Sequence, residues 1–217
     1  MIPVLIIPVL NRYDLLDQNL KTIDYPIGEI LIINNGKENY VPKRADLNVR
    51  VLNLPSNLGM SGSWNLGIKL YPHQEYWIYS SADTHWIPGS LEKLNAASGK
   101  RNLVMTTEAW SCFSIGEEVV REVGLFDEFF YPIYFEDNDY YERVMRSNVK
   151  DGYIHGTIEV NAPHGASQTI NSDEVLKKRN NETFVVNETY FQQKKNQDFK
   201  VMGCWDIDRR RAQEWLR

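Results

Sequence analysis

Four short runs of apolar, largely β-branched residues recur through the first half of the chain, at Val4–Ile7, Ile30–Ile33, Val49–Leu52 and Tyr76–Tyr79. Apolar runs without polar alternation predict strands buried on both faces, as in a mostly parallel sheet covered by helices. Helix start signals lie between and after them: Asp14 ahead of Leu15-Leu16, Ser61 ahead of Trp64, and Pro88-Gly89-Ser90 ahead of Leu91. Two more helices are expected further on, Glu117–Val123 closed by Gly124 and Asp139–Ser147 opened by the box Asp139-x-x-Glu142. From Ser172 onward the chain is polar and helix-prone, with cationic clusters at Lys177–Arg179, Lys194-Lys195 and Arg209–Arg211, and reads as a solvated amphipathic face. The expected architecture is α/β: a sheet domain over 1–170 and a helical extension over 171–217.

Composition narrows the classes. With 217 residues, 42% hydrophobic and 24% charged, the chain can bury the core of one domain and is not a disordered polymer. A net charge of −5 leaves no broad basic field, so nucleic acid is excluded as an expected partner. Cys112 and Cys204 are far apart and form no C-x-x-C, which fits reduced thiols and a cytoplasmic location rather than a disulfide framework. The apolar start Met1–Leu10 is broken by Pro3 and Pro8 and lacks a charged leader, so neither a signal peptide nor an integral membrane span is expected. The sequons at Asn181 and Asn187 are read as chance.

In an alternating α/β layout, ligands gather beyond the carboxyl ends of parallel strands. The predicted strands end in Pro8-Val9-Leu10-Asn11-Arg12, Asn34-Asn35-Gly36, Leu54-Pro55-Ser56-Asn57 and Ser80-Ser81-Ala82-Asp83. In Ser81-Ala82-Asp83-Thr84-His85, a carboxylate and an imidazole two residues apart can face one Mn²⁺ or Mg²⁺ ion holding a diphosphate. The bland reading is a turn, since Asp caps turns and His is a common surface residue. In Glu136-Asp137-Asn138-Asp139, three clustered carboxylates can raise a pKa and prepare a general base, although acids also simply offset a helix dipole. Asp139 with Glu142 suits capping, and Asp137 beside Tyr134 and Phe135 suits the base. The glycine-rich Asn57-Leu58-Gly59-x-x-Gly62-x-x-Asn65-x-Gly67 predicts close backbone approach and an anion at a helix start. Missing G-x-G-x-x-G, G-x-x-x-x-G-K-[ST] and G-x-S-x-G motifs disfavour a dinucleotide site, a P-loop and a hydrolase elbow.

Taken in order, Ile6-Ile7-Pro8-Val9-Leu10-Asn11-Arg12, Asn34-Asn35-Gly36, Asn57-Leu58-Gly59…Asn65-Leu66-Gly67, Ser81-Ala82-Asp83 and Gly124-Leu125-Phe126-Asp127-Glu128…Phe135-Glu136-Asp137-x-Asp139 resemble family-2 inverting glycosyltransferases of the GT-A fold. The closest likeness is to their bacterial and viral rhamnosyltransferase-like branch, over residues 2 to about 165. The resemblance implies a nucleotide-binding half over 1–100 and an acceptor and catalytic-base half over 101–170. It places Pro8, Asn11, Arg12, Asn34 and Asn35 around the nucleoside, with Asn57, Gly59 and Asn65 beside the nucleotide. Ser81, Ala82 and Asp83 stand where the family has D-x-D, so Asp83 is the implied ligand of Mn²⁺ or Mg²⁺, helped by His164 or His85. Asp137, with Glu136 before it, matches the catalytic base.

Two departures matter: Ser81 replaces the first D-x-D carboxylate, and Asn35 replaces an aspartate that reads the base. The implied activity is metal-assisted transfer of a sugar, with inversion, from a UDP- or dTDP-sugar to a hydroxyl of a glycan or glycoconjugate. Two other readings stand beside it. One is a silent nucleotide-sugar-binding module, suggested by Ser81. The other is a sugar-phosphate nucleotidylyltransferase, weakened by the lack of glycine in residues 8–14.

Overall fold

The computed structural model of the chain describes residues 1–161 and 168–199. The strands are β1 (Ile2–Val9), β2 (Ile27–Asn34), β3 (Val49–Asn53), β4 (Tyr76–Ser80), β5 (Leu103–Thr106), β6 (Ala109–Gly116) and β7 (Tyr153–His155). They form one sheet in the order β3-β2-β1-β4-β6-β5-β7. The first four are parallel neighbours, with Leu5 opposite both Ile30 and Ile78 and Ile32 opposite Val51. β6 is the reversed strand, antiparallel to β4 and β5, while β7 runs parallel to β5. The helices are α1 (Tyr13–Lys21), α2 (Gly59–Leu70), α3 (Ser90–Ala97), α4 (Glu117–Val123), α5 (Glu136–Met145), α6 (Gln168–Asn171) and α7 (Glu174–Asn196).

Burial on both faces accounts for the continuous apolar runs. Leu5 and Ile7 face a core shared with Leu16 and Leu20 of α1 and with Leu91 and Leu94 of α3. Val4 and Ile6 face the opposite core, with Trp64 of α2, Val119 of α4 and Tyr140 of α5. Alternate residues of one strand thus enter two cores, which selects apolar residues at every position.

α4 has the anticipated bounds and closes on Gly124. α5 does not open at the Asp139 box; it begins at Glu136, and Asp139 is fully buried inside its first turn. The cause is a pair of cations. Arg143 Nε donates to Asp139 Oδ2 at 2.8 Å, and Lys194 Nζ lies 2.5 Å from Asp139 Oδ1. β5, β6 and β7 were not foreseen, because they are short or broken by Ser111, Cys112 and Ser114.

The tail also departs from the expected solvated face. Along α7 the buried residues are Asn180, Asn187, Tyr190 and Lys194, one face in which three of four side chains are polar. Lys194 Nζ donates to Asp127 Oδ2 at 2.7 Å, and Tyr190 OH donates to the same oxygen at 2.9 Å. Two carboxylates, one ammonium and one guanidinium make a neutral buried group. No helix among the described residues is long and apolar enough to cross a membrane.

Removing one member of such a group strands the others in low dielectric, at a cost of about 3–5 kcal/mol. Lys194→Met is therefore expected to lower the urea unfolding free energy by about that amount, and Lys194→Arg by less. An unchanged midpoint for Lys194→Met would show that the group does not hold α7.

Candidate active site

A cleft of about 380 Å³ opens beyond the carboxyl ends of β1, β2 and β4. Pro8, Val9, Leu10, Asn35 and Asn57 form one side, and Ser81, Ala82 and Asp83 lie across its floor. Because β6 runs against β4, its start meets the end of β4: Ser80 lies opposite Cys112, and Ser81 N donates to Ser111 O at 2.6 Å. That reversal brings Glu108, Ala109 and Trp110 to the cleft. The third side is the loop Pro132–Tyr134 with Glu136 and Asp137, and the fourth is α6 and α7.

The glycine-rich start of α2 does not offer the open anion site expected of it. Three successive N–H groups are spent: Leu58 N donates to Asn35 Oδ1 at 2.8 Å, Gly59 N to Asn57 Oδ1 at 2.8 Å, and Met60 N to Pro132 O at 2.9 Å. Asn35 completes this clamp by donating from Nδ2 to Ser63 Oγ at 2.9 Å. Its amide borders the cleft but is committed at both ends, so it holds α2 in place. Gly59 is required for a different reason. Its φ is +72°, and a Cβ there would lie 2.7 Å from Pro132 O.

Other expected residues are built into the frame. Asn65 is fully buried and makes three hydrogen bonds with the next motif: Nδ2 donates to Phe126 O and Glu128 Oε1, and Oδ1 accepts from Phe126 N. Asn34 is buried and donates to Glu38 O and Asn53 Oδ1 while accepting from Gly36 N and Tyr13 OH. Asn11, exposed and with φ +61°, accepts from Lys37 N. Arg12 forks onto Asp14 and reaches Ser172 Oγ at 3.2 Å, and it lies near enough to Asp83 to lower that carboxyl's pKa. None of these four is among the cleft-lining residues. His85 pairs by its backbone with Asn161 and also lies behind the lining. His164 lies outside the described residues.

Asp83, Glu136 and Asp137 do meet in the one cleft. Burial pushes the Asp83 carboxyl up, against the pull of backbone N–H groups at Asp83 and Gln168 and of the Arg12 and His85 charges. Burial likewise raises Asp137, while the N–H of Asn138, donating to Oδ1 at 2.8 Å, holds it down. Glu136 is only 4% exposed; burial first, and the adjacent Asp137 charge second, push its carboxyl well above the usual range. The backbone leading to these acids is unusual, with Tyr134 at φ +79° and Phe135 at φ +74°. Non-glycine residues in this region cluster at functional sites, held there by their surroundings. Here Asn187 Nδ2 of α7 donates to Ile133 O at 3.0 Å and Tyr134 O at 3.2 Å, and Phe135 packs on Phe184 and Phe191.

The family profile described as Glycosyl transferase family 2 matches residues 4–148. The chain belongs to glycosyl transferase family 2. No curated protein matches the sequence at a significant level. Among solved structures, the chain is similar to the mannosyltransferase PcManGT from Pyrobaculum calidifontis, in complex with GDP-Man and Mn²⁺, with a TM-score of 0.55 and 16% identity over 71% of this chain and 53% of that one. It is also similar to S. aureus TarS, with a TM-score of 0.55 and 12% identity over 74% of this chain and 36% of that one. S. aureus TarS 1-349 in complex with UDP gives a TM-score of 0.53 and 12% identity over 71% of this chain and 57% of that one. The chain therefore spans between about a third and three fifths of the length of these structures. They establish the GT-A fold. The family span covers Pro8 through Asp137 and ends before α6 and α7.

Sequence reasoning assigned no site role to Glu108, Thr169, Ile170, Leu176, Arg179 or Asn180, all of which line the cleft. The only hint was helical spacing, since Leu176, Arg179 and Asn180 fall on one face. The aromatic residues Tyr134 and Trp110 also line the cleft, and Trp110 packs on Trp64 and Phe113.

An alanine at position 59 must adopt a left-handed backbone costing about 1–2 kcal/mol and push its Cβ against a carbonyl. Gly59→Ala is expected to destabilise by about 2 kcal/mol or more in chemical denaturation. A neutral result would mean that the start of α2 and the Pro132 loop are not in close contact.

Proposed function

We propose that the protein is an inverting transferase that moves a sugar from a nucleoside-diphosphate donor, a UDP- or dTDP-sugar, to a hydroxyl of a glycan or glycoconjugate. The observation that carries this reading is the convergence of Asp83 at a strand end and the partly desolvated Asp137 in one cleft of a family-2 scaffold. Asp137 takes the proton of the attacking hydroxyl as oxygen bonds to the anomeric carbon, and the bond from that carbon to the β-phosphate oxygen breaks with its electron pair leaving on the diphosphate. One displacement gives inversion. Since the Asn35 amide is committed to Ser63 and Leu58, the base is held by the Pro8–Leu10 strand end and Asn57. The rhamnosyltransferase-like motif order makes a dTDP-sugar the first donor to try. The UDP seen with TarS 1-349 supports a pyrimidine, and GDP-mannose, seen with PcManGT, is the control. Residues 1–100 serve the donor and 101–170 the acceptor and the catalytic base, and a cytoplasmic location suits a nucleotide-sugar donor.

No three His, Cys, Asp or Glu side chains among the described residues form a ready cation site. The single strand-end carboxylate of Asp83, on the cleft floor, suits a divalent ion that would arrive with the diphosphate. Asp83 would hold it, with Ser81 beside it on the cleft floor. When bound, Mn²⁺ or Mg²⁺ supplies positive charge against the departing diphosphate. The Mn²⁺ in the PcManGT complex supports this assignment. Asp83→Ala is expected to abolish the gain in UDP affinity on adding Mn²⁺, read by titration calorimetry. An unchanged metal effect would remove Asp83 from that role.

Asp137→Asn keeps the side-chain shape and removes the base. Donor binding should persist while transfer falls by about 10²–10⁴. In the wild type Asp137 must be ionised to accept the proton, and burial holds its carboxyl above the ordinary 3.8. Transfer should therefore decline as pH falls through that raised value. Near-normal transfer by Asp137→Asn would move the base elsewhere. Tight donor binding with no release of nucleoside diphosphate from the wild type would favour the silent module that Ser81 suggests.

A further inference from the structure

α7 keeps a second face turned away from the molecule. Val175, Lys178, Glu182 and Val185 are all exposed, the two valines at 77% and 61%. Their spacing of three, four and three residues sets them on one stripe, on the side of the helix away from the buried Asn180, Asn187 and Lys194. Valine is a weak helix former, so its recurrence on the outside of α7 does nothing for the helix itself. None of the four lines the cleft. The charges of the stripe are also unspent. Lys177 leans back to Glu174 at 4.0 Å, whereas Lys178 and Glu182, one turn apart, have no ion-pair partner among the described residues. A lysine placed ahead of a glutamate is the poorer order for pairing within one helix.

We propose that this stripe is the interface of a symmetric dimer in which α7 of one copy packs antiparallel on α7 of a second copy. With the two-fold axis beside residue 180, positions whose numbers add to 360 face one another. Val175 then meets Val185 of the second copy and Lys178 meets its Glu182, and symmetry repeats both contacts. Two ion pairs lie at the centre, with an apolar layer on either side. The register is selective. Sliding it by one layer sets Glu182 against Val185 or Lys178 against Val175, and a parallel pair would set Lys178 on Lys178 and Glu182 on Glu182.

A second copy suits this face better than a membrane does. The exposed Glu174, Glu182 and Glu188 alternate with Lys177 and Lys178, so an anionic bilayer would meet repulsion along with attraction, whereas a face carrying both signs in order complements itself. The helix is also held firmly enough to serve as a docking surface. Asn187 donates to Ile133 O and Tyr134 O, and Lys194 to Asp127 Oδ2, all from the inward side. The paired stretch covers only three turns, at the low end of the interface sizes that hold proteins together, so the association is reversible and follows concentration.

The test is analytical ultracentrifugation of the whole chain. The weight-average mass should rise from the 25.3 kDa of one copy toward twice that value between about 5 and 500 µM. Lys178→Glu and Glu182→Lys should each weaken association by about tenfold or more, because each sets like charges opposite one another at both symmetric positions. The double exchange, Lys178→Glu with Glu182→Lys, should restore it, and an equimolar mixture of the two single variants should associate where neither does alone. Since all four residues are exposed, every variant should keep the wild-type melting temperature in dilute solution. The proposal is overturned if the wild type remains a single copy at about 500 µM, if the single variants associate as the wild type does, or if the double exchange fails to restore association. Flotation of the wild type with phosphatidylglycerol vesicles, lost in Val175→Ser with Val185→Ser and without self-association, would give the stripe to a membrane instead.

Discussion

The ammonium of Lys194 sits between Asp127 and Asp139, and three elements take their positions from that contact. Asp139 is two residues past Asp137 on α5, so fixing its carboxylate fixes the turn that presents the acid pair. Asp127 follows Phe126, whose backbone is held at both N and O by the buried Asn65 of α2. Lys194 itself anchors the far end of α7, the helix that walls the cleft. Two buried carboxylates without cations would be untenable, and Lys194 and Arg143 together bring the charge to zero. One neutral cluster thus ties α2, α5 and α7 to a common origin.

That origin allows a strained backbone to persist. Two consecutive aromatic residues in the left-handed region cost of the order of 1–3 kcal/mol each, and their surroundings hold them there. Asn187 holds the Tyr134 carbonyl, Phe184 and Phe191 pack on Phe135, and Met60 N binds Pro132 O on the other flank. The strain turns the chain so that Glu136 and Asp137 enter the cleft at the first turn of α5. A conformation imposed from two sides is rigid, which a proton-accepting group needs if it is to stay aligned.

The parallel half of the sheet was legible because burial on two faces demands apolar residues without interruption, and Val4–Ile7 and Ile30–Ile33 supply them. The reversed half was not. β6 buries Ser114, whose hydroxyl accepts from Ser98, so a buried strand carries polar residues at core positions. In the cleft, the aspartates were readable from their strand-end and helix-start positions. Of the asparagines, Asn35 and Asn57 border the cleft, but an amide that can meet a ligand can equally meet the chain: Asn35 clamps α2, Asn34 closes a loop, and Asn65 pins Phe126. α7 was opaque for the same reason, since its inward face is made of residues that periodicity analysis assigns to solvent.

Helices docked by a leucine stripe tolerate exchange among apolar residues on the inner face and free choice on the outer one. α7 inverts that rule: its Val185 and Val186 point to solvent at 61% and 58% exposure, while Asn187 and Lys194 are sealed inside. A redesign guided by hydropathy would polish the wrong side, replacing the buried asparagine and lysine with leucine and preserving the exposed valines. For the fold of one copy, the sequence freedom of this helix lies where it looks hydrophobic, and its constraint lies where it looks soluble.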